Sequence, residues 1–155
     1  MITQTLINEL FEYKDGDLYW KDYFKKKFQK ASNNRPDGYS RLTFNGKTYY
    51  THRIIFLMQN GYLPKYIDHI DGNPSNNKIT NLREATSQQN HFNSKIQSNN
   101  SSGIKGISWN KKSKKWQIHI KHYSGRFTAL AENLELAELI AQEARLKYHG
   151  EFARN

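Results

Sequence analysis

The chain is 155 residues long, room for one ordinary domain or two to three small ones. Its 24 Lys and Arg against 14 Asp and Glu leave a formal charge of +10, and a pI near 9.7 favours a polyanionic partner, nucleic acid or an acidic membrane surface. The absence of Cys excludes disulfide frameworks, Cys-based zinc sites, thiol catalysis and iron–sulfur chemistry. No apolar run approaches the ~18 residues of a membrane span, and Met1 to Leu10 lacks the basic-then-apolar pattern of a secretory signal. A soluble, intracellular, nucleic-acid-facing protein is the expectation.

Residues 1–62 read as an α/β scaffold. Leu6, Ile7, Leu10 and Phe11 recur at helical spacing, and Asp15-Gly16 makes a turn ahead of a strand, Asp17-Leu18-Tyr19-Trp20. Tyr39 to Phe44 alternates, Asn45-Gly46 follows and Lys47 to Thr51 resumes, the strongest short signal for a hairpin. Arg53 to Asn60 turns helical, with Gly61 as its C-cap. The basic run Lys25-Lys26-Lys27 with Lys30 could touch phosphate.

Further along, Ile67 to Ile70 is a short strand, Asp71-Gly72-Asn73-Pro74 forces a turn, and Leu82 to Ala85 returns as a second strand. Thr86 with Gln89 forms a capping box that starts a helix at the next residue. Gln97 to Ser102 is polar, small and turn-prone, and reads as a linker leading to Gly103. Beyond it, Ile104 to Trp109, Trp116 to His122 and Arg126 to Leu130 read as three strands, and Leu134 to Tyr148 as a helix that Gly150 ends. Gly103 to Arg126 carries seven Lys and Arg and no acid, whereas Glu132 to Glu151 holds five Glu. The class is α+β: a first part with a hairpin and helix scaffold, then a small three-stranded antiparallel sheet packed on one helix.

The middle segment carries the chemistry. A strand–loop–strand–helix frame can hold Asp68 and His69 at a strand end near Asn90 in the first turn of a helix. Phosphodiester hydrolysis needs a base to deprotonate water and a cation to neutralise charge on the phosphate and leaving oxygen. His accepts a proton near neutral pH. A carboxylate and an amide oxygen with no thiolate suit a hard ion such as Mg²⁺. By type, His69 is the base, Asp68 and Asn90 are ligands, and Asn81 can tie the loop to the strand and orient His69. His52, His91, His119, His122 and His149 lack a partner pattern and read as surface or packing residues.

Asp68-His69-Ile70-Asp71-Gly72-Asn73, Asn76-Asn77, Asn81-Leu82-Arg83 and Gln89-Asn90 resemble the HNH motif of phage and intron homing endonucleases, over roughly residues 50 to 93 and including His52-Arg53. The resemblance implies a ββα-metal fold, His69 as general base, Asp68 and Asn90 as ligands of one divalent ion (Mg²⁺ or Mn²⁺), and Asn81 as the central Asn. It implies 3′-hydroxyl and 5′-phosphate ends, and a phage-infected or prophage-bearing bacterial cytoplasm as the setting. The third member is Asn rather than His. His91 would point about 100° away from Asn90 on a helix, so Asn90 is preferred, with Asn93 as the weaker candidate.

Residues 103–155 are similar to the apetala (ethylene-response-factor) type of DNA-binding domain. The likeness rests on Gly103-Ile104-Lys105-Gly106-Ile107-Ser108-Trp109, Lys115-Trp116-Gln117-Ile118-His119-Ile120, and Ala137 to Ala153. It implies a sheet laid in the major groove of double-stranded DNA, with contacts from Lys105, Trp109, Lys112, Lys115, Lys121 and Arg126. Arg53 and Arg83 are the basic candidates in the first part. The chain is thus expected to comprise an endonuclease domain at 1–96 (scaffold 1–62, ββα-metal motif 63–96), a linker at 97–102 and a DNA-binding domain at 103–155. It would act as a monomer or weak dimer on DNA. The alternative is a DNA-binding regulator with a vestigial nuclease.

Overall fold

The computed structural model describes residues 2–21, 29–94, 96 and 98–153. These form two compact units, Met1–Thr86 and Ser87–Asn155. Lys25 to Lys27 lie outside the described residues, and Lys30 pairs with Asp17 at 2.8 Å.

The first unit opens with α1 (Gln4–Leu10), where the Thr3 hydroxyl accepts from the Leu6 amide at 3.3 Å, a side-chain N-cap. Phe11, which spacing assigned to this helix, instead begins β1 (Phe11–Lys14) and lies opposite Trp20 of β2 (Asp17–Trp20) in an antiparallel hairpin. The physical reason is the cross-strand aromatic pair, with ring centroids 4.6 Å apart. Next come β3 (Asn33–Asn34), β4 (Ser40–Phe44) and β5 (Lys47–Tyr50), a sheet in the order β3-β4-β5. Asn45 and Gly46 both have positive φ, +48° and +70°, as a tight two-residue hairpin turn demands.

α2 (Thr51–Asn60) begins two residues before the expected Arg53, and the Gly61 amide closes it on the Leu57 carbonyl at 2.9 Å. β6 (Tyr66–His69) and β7 (Leu82–Ala85) pair antiparallel, with Asp68 opposite Arg83 and His69 opposite Leu82. Ile70, expected in the strand, leaves it and bonds through its amide to the Asn81 carbonyl at 2.9 Å. Ile7, Leu10, Phe11, Leu18, Leu42, Ile54 and Ile55 form the heart of one core, with Ile67 and Leu82 joining the hairpin to it. Each such fully buried side chain contributes about 1.5–3 kcal/mol. This core fixes the hairpin and hence the loop it carries.

The second unit contains α3 (Ser87–Phe92), β8 (Ile107–Asn110), β9 (Lys115–His122), β10 (Gly125–Ala131) and α4 (Leu134–His149). The strands form one antiparallel sheet in the order β10-β9-β8. Ala137, Ala141 and Ala144 recur at helical spacing, so α4 packs small side chains against Ile107, Ile118 and Ile120. Asn133 caps α4, its Oδ1 accepting from the Leu136 amide at 2.8 Å.

β8 starts at Ile107 rather than Ile104. Gly106 has a φ of +77°, and a Cβ there would stand 2.7 Å from the His119 carbonyl oxygen, so a sharp turn brings the backbone tight against β9 before pairing begins. The units divide before α3, whereas composition set the boundary at 97–102. The difference comes from packing. The Lys105 ammonium donates to the Phe92 and Ser94 carbonyls at 2.7 and 2.6 Å, and the Phe92 ring stacks on His149 at 3.9 Å. The small polar residues are themselves bonded: the Ser102 hydroxyl lies 2.8 Å from the Ile107 carbonyl, and Asn100 Oδ1 accepts from the Gly103 amide. No helix among the described residues is long and apolar enough to cross a membrane.

Candidate active site

The loop between β6 and β7 is built by its own amides. Asn81 Nδ2 donates to Asp71 Oδ1 at 2.9 Å and to the Asn76 carbonyl at 2.8 Å, while Asn81 Oδ1 accepts from the Asp71 amide at 3.0 Å. Asp71 also accepts from the Asn73 amide and from Asn76 Nδ2. Burial pushes the Asp71 carboxyl up, but these bonds outweigh it and hold it below the ordinary carboxylate range. The loop leans on the scaffold: the Ser75 hydroxyl donates to the Gly38 carbonyl at 2.7 Å, and the Ile79 amide to the Tyr13 hydroxyl at 3.1 Å.

His69 ends β6 and is 6% exposed. Its Nε2 lies 3.0 Å from Asn77 Oδ1, and Asn77 Nδ2 donates to the Ser40 hydroxyl at 2.9 Å. The amide oxygen faces the ring and its nitrogen faces the hydroxyl. An amide oxygen only accepts, so Nε2 carries a proton and donates it to Asn77. The rings of His52 and Tyr39 lie 5.1 and 6.1 Å from that of His69. Burial pushes His52 down to about 3, with His69 and Arg53 adding to the shift.

Asp68 is 4% exposed and its Oδ2 accepts from both Arg83 Nε and Arg83 Nη2 at 2.9 Å. Arg83, expected on DNA, is thus committed to this carboxylate. Arg53 likewise donates to the Pro64 and Lys65 carbonyls. Asp68, His69 and Asn81 are gathered on one hairpin and its loop. Asn90 sits exposed on α3, in the second unit, and Asn93 is buried there. Among the described residues no group of three or more His, Cys, Asp or Glu side chains is arranged to hold a metal. The donors that the sequence offers, one carboxylate and one amide oxygen, fit a hard divalent cation in chemistry, and the guanidinium beside Asp68 shows that its buried carboxylate already stands opposite positive charge.

In the second unit, register separates the two faces of the sheet. Lys115, Gln117, His119 and Lys121 alternate along β9 with Trp116, Ile118 and Ile120, and Arg126 lies opposite Lys121. Lys112, Lys121 and Arg126 are exposed, and Lys115 reaches Glu132 at 3.4 Å. Two of the expected DNA contacts also have partners inside the unit, and Trp109 is still 44% exposed. Trp109 pairs with Trp116 on the face that carries Ile107 and Ile118 toward α4, where the two indoles meet edge to face at 5.1 Å. Lys105 spends its ammonium on the carbonyls of Phe92 and Ser94. Asn77, His52 and Tyr39 were given no site role by the sequence. The Asn76-Asn77 pair within the motif was the one available signal for Asn77.

The HNH endonuclease family model matches residues 49–92, the span that holds this hairpin, its loop and α3. The chain belongs to the HNH endonuclease family, a family of nuclease enzymes. Its relatives include protein 3.8 of Escherichia phage T7, 38% identical over 112 residues that cover 66% of this chain and 87% of that protein. An uncharacterized HNH endonuclease, L560 of Acanthamoeba polyphaga mimivirus, is 39% identical over 106 residues; the match covers 66% of this chain and about half, 54%, of the mimiviral protein. The solved structure described as DNA binding and cleavage by the HNH homing endonuclease I-HmuI aligns with a TM-score of 0.46 and 25% identity over 90% of this chain and 85% of that one.

Proposed function

We propose that the chain is a Mg²⁺- or Mn²⁺-dependent endonuclease of homing type that hydrolyses phosphodiester bonds of double-stranded DNA. The observation that carries this reading is the Ser40–Asn77–His69 relay of hydrogen bonds, which holds a proton on Nε2 of a buried imidazole beside a loop built from Asp and Asn. In this mechanism His69 Nδ1 takes a proton from the attacking water. Asn77 steadies the imidazolium that forms, by accepting from Nε2. Asn81 keeps the loop in register with β7. Asp68 and Asn90 are the residues that would hold the divalent ion, which when bound neutralises charge on the phosphate and the leaving oxygen.

The functional division follows the motif: nuclease 1–96, including α3, a connection at 97–102 and an apetala-type DNA-binding domain at 103–155. The open face of its sheet, with Lys115, Lys121 and Arg126 and with Lys112 at the adjoining turn, supports phosphate and groove contacts. Tethering it to the nuclease raises the local concentration of DNA. One active site per chain nicks as a monomer, and a double-strand break takes two chains or two events; the setting is the cytoplasm of a phage-infected or prophage-bearing bacterium. The competing reading, a DNA-binding regulator with a vestigial nuclease, draws on the Arg83 guanidinium that occupies Asp68.

Supercoiled plasmid incubated with and without Mg²⁺ separates the two. The nuclease relaxes plasmid only with metal, and His69→Ala lowers the rate by about 10²–10⁴. Plasmid that shifts in a gel yet stays uncut, with no difference between wild type and His69→Ala, would reject the enzyme reading.

A further inference from the structure

The second unit carries a half-open cavity of about 480 Å³ that the nuclease chemistry does not use. Lys105, Lys121, Arg126 and Arg145 line it with the imidazoles of His119 and His149; none of its lining residues among those described is acidic, and Glu138 acts on Arg145 from outside the lining. Arg145 is only 2% exposed. One guanidinium nitrogen donates to the Lys105 carbonyl at 2.7 Å, but its buried Nε has no partner. The Nδ1 atoms of His119 and His149 are also buried without partners, so three of the seven such atoms among the described residues belong to this one wall. Buried polar groups are ordinarily satisfied, and a buried cation is costly unless an anion or hydrogen-bond acceptors meet it.

We propose that this cavity seats a phosphate group carried by a nucleotide or by a nucleic-acid strand, with Arg145, Lys121 and Arg126 neutralising it. Lys121 and Arg126 are register partners on the open face of the sheet and also line the cavity, so a strand lying on that face has a phosphate seat beside it. His149 Nε2 donates to the Lys121 carbonyl at 2.7 Å, which leaves Nδ1 to accept from a hydroxyl of a free phosphate or nucleotide, a contact that an internal DNA phosphodiester does not offer. The volume suits a phosphate with its sugar.

The site shares Lys121 and Arg126 with the DNA-facing sheet of the proposed function but not the nuclease chemistry, and its test uses neither divalent metal nor cleavage. The full chain, isotope-labelled and held in EDTA, is titrated with inorganic phosphate, then dAMP, then a short DNA duplex, while amide and imidazole NMR signals are followed. With phosphate and with dAMP, saturable shifts confined to Gly106, His119, Lys121 and His149 are expected; the duplex should add shifts along the open face of the sheet. Lys121→Gln with Arg126→Gln, both exposed positions, should weaken phosphate binding about tenfold or more with spectral dispersion unchanged. If the duplex displaces phosphate, the seat belongs to the strand; if dAMP binds more tightly than phosphate while the duplex leaves it in place, it belongs to a free nucleotide. Shifts that fail to saturate, spread over all surface lysines or survive unchanged in the double variant overturn the proposal.

Discussion

The two units treat polar side chains in opposite ways. Of the ten buried polar or charged side chains among the described residues, eight lie in the first unit, including Ser40, His52, Asp68, His69, Asn77 and Asn81; the second buries only Asn93 and Arg145. The first unit pairs Asp68, His69, Asn77 and Asn81 with partners of its own, and so turns a short ribbon and loop into a fixed arrangement around one imidazole. The second packs Ile and Ala between sheet and helix and keeps its cations on a face or at a cavity. Internal satisfaction holds a reacting group in place, and outward charge attracts a polyanion.

The contrast is most sharply tested by stability. Asn81→Ala removes three hydrogen bonds and leaves the Asp71 carboxylate and amide without these partners, which should cost about 2–4 kcal/mol. Gly106→Ala forces a Cβ against the His119 carbonyl in a left-handed backbone and should cost a comparable amount, about 2–4 kcal/mol. Urea unfolding followed by amide exchange should show Asn81→Ala loosening residues 66–85 first and Gly106→Ala loosening β8 to α4. Identical exchange patterns in the two variants would mean that the cores are not separable.

A smaller effect reads the imidazole directly. Asn77→Ala should slow plasmid relaxation about 10- to 100-fold, as loss of an orienting partner does. Asn77→Asp restores an acceptor and adds a negative charge, which favours the imidazolium. The acidic limb of its rate–pH profile should therefore move to higher pH while much of the rate returns. A merely structural Asn77 would shift stability and leave that limb where it was.

Local chemistry made much of this fold legible. Asn45-Gly46, the Gly61 cap and the period of α4 each depend on residues within a few positions of one another. The strand–loop–strand order around Asp68 and His69 was readable for the same reason. What escaped was set by partners far along the chain. Phe11 left its helix for Trp20, and Asn77 was claimed by Ser40, 37 residues away. Arg83 and Lys105, read as free cations, were taken by a carboxylate and by two carbonyls. His52 looked like a packing residue, and its contact with His69 exists only once α2 meets the β6–β7 hairpin.

His52 gives the first unit a pH dependence. Its neighbours are the rings of His69, Tyr39 and Tyr50 and the guanidinium of Arg53, so nothing acidic among these groups favours its charged form. With a folded pKa of about 3 against an ordinary His value of 6.5, the unfolded chain binds the proton more readily. This contribution is constant above about pH 6.5 and is lost as pH falls toward 3, at roughly 1.4 kcal/mol per pH unit. His52→Phe keeps a ring in the cluster and should flatten that slope between pH 6 and 4 in denaturant titrations. An unchanged slope would assign it to other groups.

The smallest effect lies on the second unit's surface. Lys112 sits in the β8–β9 turn, where its amide donates to Asn110 Oδ1 while its side chain is exposed. Lys112→Gln removes one charge and no internal bond, so stability should hold within about 0.5 kcal/mol. If that charge meets a DNA phosphate, the plot of log binding constant against log salt should become shallower by about 0.9. The same substitution made at Lys105 should instead loosen α3, because there the ammonium holds two carbonyls of the unit itself. A salt slope that responds to Lys105 and ignores Lys112 would reverse the assignment of which lysines face outward, because counterion release counts only charges that reach the phosphates.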